Sequence, residues 1–180
     1  MVLQRDTTVA IWGQALPESI VYLSPSWGNI IKVKSDSNGF WKAFSETIND
    51  QKNHSLRIKS GKDKIFINNI LLGEVWLASG QSNMEMNFDY CCNSTDSAKH
   101  VLQNDMFKNI RMFNVKKRYS LNSSSGIQGR WVEAVKDSIK SFSAVGYFFA
   151  KKLHNTLGVP IGIIHASWGG SDVESWISKK

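Results

Sequence analysis

Up to residue 60 the apolar positions recur at every second residue in short runs. These are VAIW (9–12), SIVYL (19–23), NIIKVK (29–34), FWKAFSET (40–47) and SLRIK (55–59). Side chains of an extended chain point alternately to opposite faces, so each run predicts a strand with one buried face. Turn-forming residues separate the runs: Pro17, PSWGN at 25–29 and SDSNG at 35–39. Short strands at this spacing predict a small all-β sandwich over residues 1–64. Within FWKAF, the apolar Phe40, Ala43 and Phe44 break strict alternation. That break predicts a bulge and leaves the direction of Trp41 open.

SGKDK (60–64) reads as a linker or tight connection, and IFINNILL (65–72) leads on from it. Beyond residue 73 the period changes. VWLAS (75–79) and IGIIHA (161–166) are almost continuously apolar, with IRMFNV (110–115) as a third such run. Strands of that kind are covered on both faces, as in a parallel sheet. Between residues 143 and 157, Val145, Phe148, Phe149, Lys152, Leu153, Thr156 and Leu157 fall at helical spacing and predict a mostly apolar stripe. Ser143 or Ser141 suits the N-cap and Gly158 the C-cap, and Pro160 forbids continuation. Lys151, Lys152 and His154 lie late in this helix, where cations suit its dipole. A helix followed by a buried strand is the unit of an α/β sheet, so residues 65–180 form a second, α/β domain.

Composition agrees with a packed core: 42% of residues are hydrophobic and 21% charged. No apolar run approaches the roughly 20 residues that span a bilayer. The opening MVLQRDTTVA lacks the apolar core of a signal peptide. Net charge is +7, but the lysines are dispersed. The densest cluster, Lys116, Lys117 and Arg118 beside Tyr119, reads as a solvated loop rather than a nucleic-acid patch. Cys91 and Cys92 are adjacent, which disfavours a bridge between them, and no C-x-x-C spacing or histidine cluster points to a metal. N-x-S/T triplets at Asn53, Asn93 and Asn122 match chance in a chain this rich in Asn and Ser.

The candidate chemistry sits where two strands end, the place where open α/β sheets bind ligands. VWLAS runs into GQSNME, and IGIIHA runs into SWGGSDVESW. Gly80 permits a tight turn, and Ser82 falls where a helix begins, with backbone N–H groups nearby to hold an oxyanion. Ser82-Asn83-Met84-Glu85 is also an S-x-x-E capping box, and spacing alone favours the cap over the nucleophile. Gly169 and Gly170 suit a second backbone donor or a plain turn. Asp172 and Glu174 read as acids at a helix start. His165, at a strand end, reads as a core or supporting histidine rather than a base, and His54, His100 and His154 read as surface residues.

GEVWLASGQSNMEM, together with FSAVGYFFAKKLHNTLGVPIGIIHASWGGSDVESW, resembles the sialate O-acetylesterase family of SGNH, or GDSL-like, hydrolases. MVLQRDTTVAIWGQALPESI resembles the start of that family's β-domain. The resemblance implies a flavodoxin-like, parallel-sheet esterase domain that is only partly present. It makes Ser82 the nucleophile, with Gln81 where GDSL enzymes usually carry Asp and Asn83 alongside. The Ser82 N–H would be one oxyanion donor and Gly169 or Gly170 would supply another. The family's third donor and its Asp-x-x-His base belong to later blocks that this sequence does not contain, so an N-terminal fragment, inactive alone, is expected. Some sequence before MVLQRD, including a signal peptide, is expected to be missing as well.

By the same resemblance the substrate is an O-acetylated sugar or glycan, with sialate 9-O-acetyl esters foremost. No metal or cofactor, no nucleic-acid partner and no membrane span are implied, and the compartment is extracellular, periplasmic or lysosomal. Two alternatives stand beside it. One is an acetylxylan esterase-like enzyme. The other is a non-catalytic carbohydrate-binding fragment in which Trp12, Trp27 and Trp41 stack on sugar rings, although core packing is the favoured reading of all three.

Overall fold

The structure, a computed structural model, describes residues 1–92, 95–118 and 126–177. Asn93, Tyr119, Asn122 and most of the loop 120–126 lie outside the described residues, as do the side chains of Cys91 and Cys92. Contacts divide the chain into two units, Met1–Glu74 and Val75–Lys180. The expected domain junction at 64/65 falls within one long strand, Asp63–Gly80.

The first unit is all-β. Its strands are β1 (Val2–Gln4), β2 (Thr8–Gln14), β3 (Ile20–Pro25), β4 (Ile31–Lys34), β5 (Phe40–Glu46), β6 (His54–Ser60) and the first part of β7 (Asp63–Gly80). One sheet runs in the order β4-β3-β6-β7 with antiparallel neighbours, and β1 joins β7 in parallel. Strands β2 and β5 form a separate antiparallel ribbon. Both sheets contribute to one core: Val21 and Leu23 from β3, Trp41 and Ala43 from β5, Leu56 from β6, and Ile70 and Leu72 from β7. SGKDK is a tight connection, with Ser60 and Asp63 paired across it.

Three expectations change here. β5 carries no bulge, because its register with β2 is unbroken from Thr8↔Glu46 to Gln14↔Phe40. Strict alternation puts Trp41, Ala43 and Ser45 inside and leaves Phe40 and Phe44 in solvent. The irregularity lies instead between β6 and β7, at His54/Leu56. Second, Trp27 and Trp41 pack in the core as expected, but Trp12 departs from that expectation and is 57% exposed. Gly13, opposite Trp41, makes room for the indole, since a β-carbon there would come within 2.8 Å of the ring. Third, His54 is buried, not on the surface. Its ring meets Trp27 edge-on at 5.8 Å, and its Nδ1 lies 3.1 Å from the Ser26 hydroxyl.

The second unit is α/β. It holds the end of β7, then α1 (Ser82–Glu85), a π turn (Phe88–Cys92), α2 (Asp96–Asn104), β8 (Phe107–Asn114), β9 (Trp131–Ala134), α3 (Lys136–Lys140), α4 (Ala144–Leu157), β10 (Ile161–Ser167) and a 3-10 turn (Val173–Trp176). Its sheet order is β7-β10-β8-β9. β10 and β8 are parallel, in register from Ile161↔Ile110 to His165↔Asn114, and β9 is antiparallel to β8. Fully buried Ile110, Met112, Ile139, Phe142, Tyr147, Ile161 and Ile163 build the core with Phe88. Asp105 closes α2 and binds α4 through the Tyr147 hydroxyl at 2.5 Å and the Lys151 ammonium at 2.6 Å.

Helix α4 starts and stops where the caps place it. The Ser143 hydroxyl accepts the Gly146 N–H at 3.0 Å, and Gly158 ends the helix at φ 68°. Its packed face differs from the expected stripe. Ala144, Gly146, Tyr147 and Ala150 are buried, while Val145, Phe148, Phe149 and Leu157 are exposed. Small side chains let the helix lie close to its neighbours, and that face wins over the bulkier one. VWLAS likewise is not covered on both faces: Trp76 and Leu77 are exposed, and Trp76 meets Phe149 edge-on at 5.2 Å.

Candidate active site

The ends of β7 and β10 lie side by side, with the Trp168 N–H donating to the Gly80 carbonyl at 2.9 Å. At the first of them, Gly80 takes φ 136°, a conformation that favours glycine, and the chain turns at once into the single helical turn α1. Gln81 is the N-cap, and its carbonyl accepts the N–H groups of Met84 at 3.1 Å and Glu85 at 3.0 Å. Ser82 is therefore the first helical residue and not the cap. The capping box favoured by spacing does not form, and the Glu85 side chain turns elsewhere.

Ser82 is exposed, and among the described residues no side chain hydrogen-bonds its hydroxyl. It lines two cavities. One, of about 360 Å³, is shared with Glu85, Met86, Asn87 and Tyr90. The other, of about 340 Å³, is shared with Gln81 and Asn83 among others. The Gln81 side-chain amide donates to the Ser171 carbonyl and so links the two strand ends.

The second strand end folds over this corner. Gly169 sits against the serine: a β-carbon at Gly169 would lie 3.5 Å from both Cα and Cβ of Ser82, and 2.8 Å from a Glu85 carboxylate oxygen. The Gly169 N–H donates to Glu85. The other Glu85 oxygen pairs with the Lys117 ammonium, which also lies 5.5 Å from the centre of the Trp168 ring. Lys117, and then the Gly169 N–H, hold the Glu85 carboxyl below the usual carboxylate range. Gly170 is exposed, with φ 76°.

His165 is the histidine of this region. Its Nδ1 lies 2.9 Å from the Asn114 side-chain oxygen and its Nε2 2.5 Å from the Ser167 hydroxyl, so both ring nitrogens are engaged. Burial pushes its pKa below the ordinary imidazole value. The Met84 backbone and Glu85 pull the other way, and Lys117 adds to the depression. Asp172 caps the 3-10 turn, with Glu174 in its first turn, and both are exposed. No three His, Cys, Asp or Glu side chains gather as a metal ion would require among the described residues.

Sequence reasoning singled out Ser82, Gln81, Asn83, Gly169 and Gly170, and the fold brings them to one corner. It missed Lys117, Asn114 and Ser167. Asn114 and His165 each fall near the end of an apolar run, but only the parallel register of β8 and β10 brings them together.

Human sialate O-acetylesterase is 27% identical over 99% of this chain and 37% of its own length. The chain resembles sialate O-acetylesterases along nearly its whole length. The mouse sialate O-acetylesterase is also 27% identical, matching 100% of this chain and 36% of its own. In structure, a carbohydrate acetylesterase from Xanthomonas citri superposes with a TM-score of 0.88 at 35% identity, over 98% of this chain and 40% of that one. The chain thus spans a little over a third of the length of these acetylesterases. No protein-family model matches it. Among the described residues no helix is long and apolar enough to cross a membrane.

Proposed function

We propose that this chain carries the nucleophile of a carbohydrate O-acetylesterase. Ser82 attacks the acetyl carbonyl of an O-acetylated sugar, foremost a 9-O-acetylated sialic acid. The Oγ–carbonyl bond forms, the ester bond to the sugar oxygen breaks, and water then releases acetate. The Ser82 N–H and one N–H of the Gly169-Gly170 pair hold the oxyanion, and Gln81 and Asn83 border the substrate. The observation that carries this reading is the contact of Gly169 with Ser82. It joins the two segments, GQSN and WGGS, that an acyl-transfer site needs within about 3 Å of one reacting carbonyl.

A serine without a base is a weak nucleophile. The Ser82 hydroxyl has no such partner among the described residues, so the 180-residue chain alone turns over little ester. The full-length gene product is the proper subject of the test. It should hydrolyse an aryl acetate and lose that turnover in Ser82→Ala while its melting curve is unchanged. Equal turnover in the variant sinks the reading. Acetate release from 9-O-acetylated sialic acid against acetylated xylan separates the two substrate classes. The likeness to the acetylesterases also supports a site of action outside the cytosol, in the extracellular space, periplasm or lysosome.

One observation favours an additional glycan contact. Trp12 stands exposed beside Phe40 and Phe44 on the solvent face of the β2–β5 ribbon. Loss of glycan binding in Trp12→Ala, with hydrolysis of a small aryl acetate intact, is the expected result. Unchanged glycan binding refutes it.

A further inference from the structure

The end of β10 holds a serine of a different kind. Ser167 is 7% exposed, and its hydroxyl lies 2.5 Å from Nε2 of His165, two residues earlier on the same face of the strand. Nδ1 of His165 lies 2.9 Å from the side-chain oxygen of Asn114, its register partner in β8. With the Asn114 amide oxygen turned to it as acceptor, we assign the ring proton to Nδ1. Nε2 is then the acceptor, and the Ser167 hydroxyl donates to it. The Phe142 ring packs edge-on at 5.4 Å and fixes the imidazole from the side. A serine bonded to a neutral imidazole that a third group orients is the arrangement that activates a nucleophile, whatever its order in the chain.

The serine also borders open space. Ser167 lines a cavity of about 250 Å³ with Lys117, Arg118, Trp168 and Trp176. The Trp176 indole is fixed by its hydrogen bond to the Ser171 hydroxyl at 2.8 Å. Lys117 is already paired with Glu85, so the aromatic walls and Arg118 are what suit a small ester that carries an anionic group.

We propose that Ser167 is a second reactive serine, with His165 as its base and Asn114 as the group that orients the base, and that it accepts acyl or phosphonyl groups from small electrophiles entering this cavity. With an ester, the Ser167 Oγ–carbonyl bond forms as the bond to the alcohol oxygen breaks. The serine proton passes to Nε2 of His165 and from there to the departing alkoxide, leaving acyl-Ser167 and the free alcohol. This stands whether or not Ser82 is the hydrolytic nucleophile.

The test is covalent labelling of the purified chain with a biotin-tagged fluorophosphonate, read by mass spectrometry of the peptides. The phosphorus–fluorine bond breaks, the Oγ–phosphorus bond forms, and fluoride leaves as His165 takes the proton. An adduct on the peptide that holds Ser167 is expected in the unaltered chain and in Ser82→Ala. His165→Gln should slow its formation by about 10²-fold, and Asn114→Leu should slow it by a smaller factor. An unaltered chain with no adduct on Ser167, or with adduct on Ser82 alone, overturns the proposal. So does a folded His165→Gln that labels Ser167 at the original rate. The first readout needs no variant, so poor folding of a variant does not protect the idea. A missing Ser82 adduct bears instead on the esterase reading.

Discussion

Ser82 and Ser167 stand at adjacent strand ends and divide between them what a nucleophile needs. Ser82 is exposed, borders two cavities and has Gly169 against it, but its hydroxyl lacks a base among the described residues. Ser167 is almost buried and fully coupled to an oriented imidazole. Access and a close glycine are gathered at one serine, and an imidazole at hydrogen-bond distance at the other. The difference shows that placement and activation of a nucleophile are separable. Placement follows from one strand, one tight turn and a glycine brought over from a neighbouring strand. Activation requires a histidine at hydrogen-bond distance, which strand register supplied to Ser167.

The sharpest break of this comparison is removal of the exposed serine. In the full-length gene product, Ser82→Ala should lower aryl acetate turnover by about 10³-fold or more, as loss of a nucleophile does elsewhere. Steady-state kinetics with a melting control measures it. A loss below about tenfold would transfer the chemistry to another group and make Ser167 the first suspect.

The two corners were unequally legible in the sequence. Ser82 and the glycines stand out as candidates because the strand ends, the glycine turn and the family resemblance are all carried by consecutive residues. The relay Asn114–His165–Ser167 does not, because it depends on the parallel register of β8 and β10. The same distinction runs through the fold. Alternating runs in the first unit became β2 to β6 nearly residue for residue, and the caps of α4 were found at Ser143 and Gly158. The packed face of α4 was misread because bulky apolar residues outweigh small ones in any periodic pattern. In the folded chain, Ala144, Gly146 and Ala150 allow the closer approach. The capping box failed for a related reason. Glu85 found a stronger partner in Lys117, 32 residues away, than the local backbone offered.

Gly169 and Gly170 give the next largest effect. Alanine at Gly169 puts a β-carbon 2.8 Å from a Glu85 oxygen and 3.5 Å from Ser82. It should displace the carboxylate, disturb the serine and cut turnover by about 10²-fold, with little loss of stability because the crowded oxygen ends a flexible side chain. Alanine at Gly170 meets open space but inherits φ 76°, which should cost about 1 kcal/mol of stability. Paired unfolding and turnover measurements separate them. If Gly170→Ala cuts turnover more than Gly169→Ala, the second oxyanion donor is Gly170.

Acid distinguishes the corners more finely. Burial keeps the His165 imidazole neutral to lower pH than a free one. Phosphonylation of Ser167 should therefore hold its rate as pH falls through about 6.5, the ordinary imidazole value, and decline only below it. A decline centred at or above that value would mean that a different base serves Ser167.

The smallest effect concerns Glu85, which holds Gly169 beside Ser82. Its carboxyl is held below the usual range by Lys117 and the Gly169 N–H, so the folded chain keeps it ionised where the unfolded chain begins to protonate it. The resulting stabilisation is present above the unfolded value and is lost as pH falls through the lower folded one. Both partners are partly solvent-exposed, which keeps the gain under about 1 kcal/mol. Glu85→Gln should thus cost a little stability at neutral pH, and the gap between the two melting curves should close in acid. The amide introduced by this substitution still offers an oxygen to the Gly169 N–H, but it loses the ion pair with Lys117. A gap that stays constant down to about pH 3, below the ordinary carboxylate range, would mean that Glu85 holds the corner through packing and not through its charge.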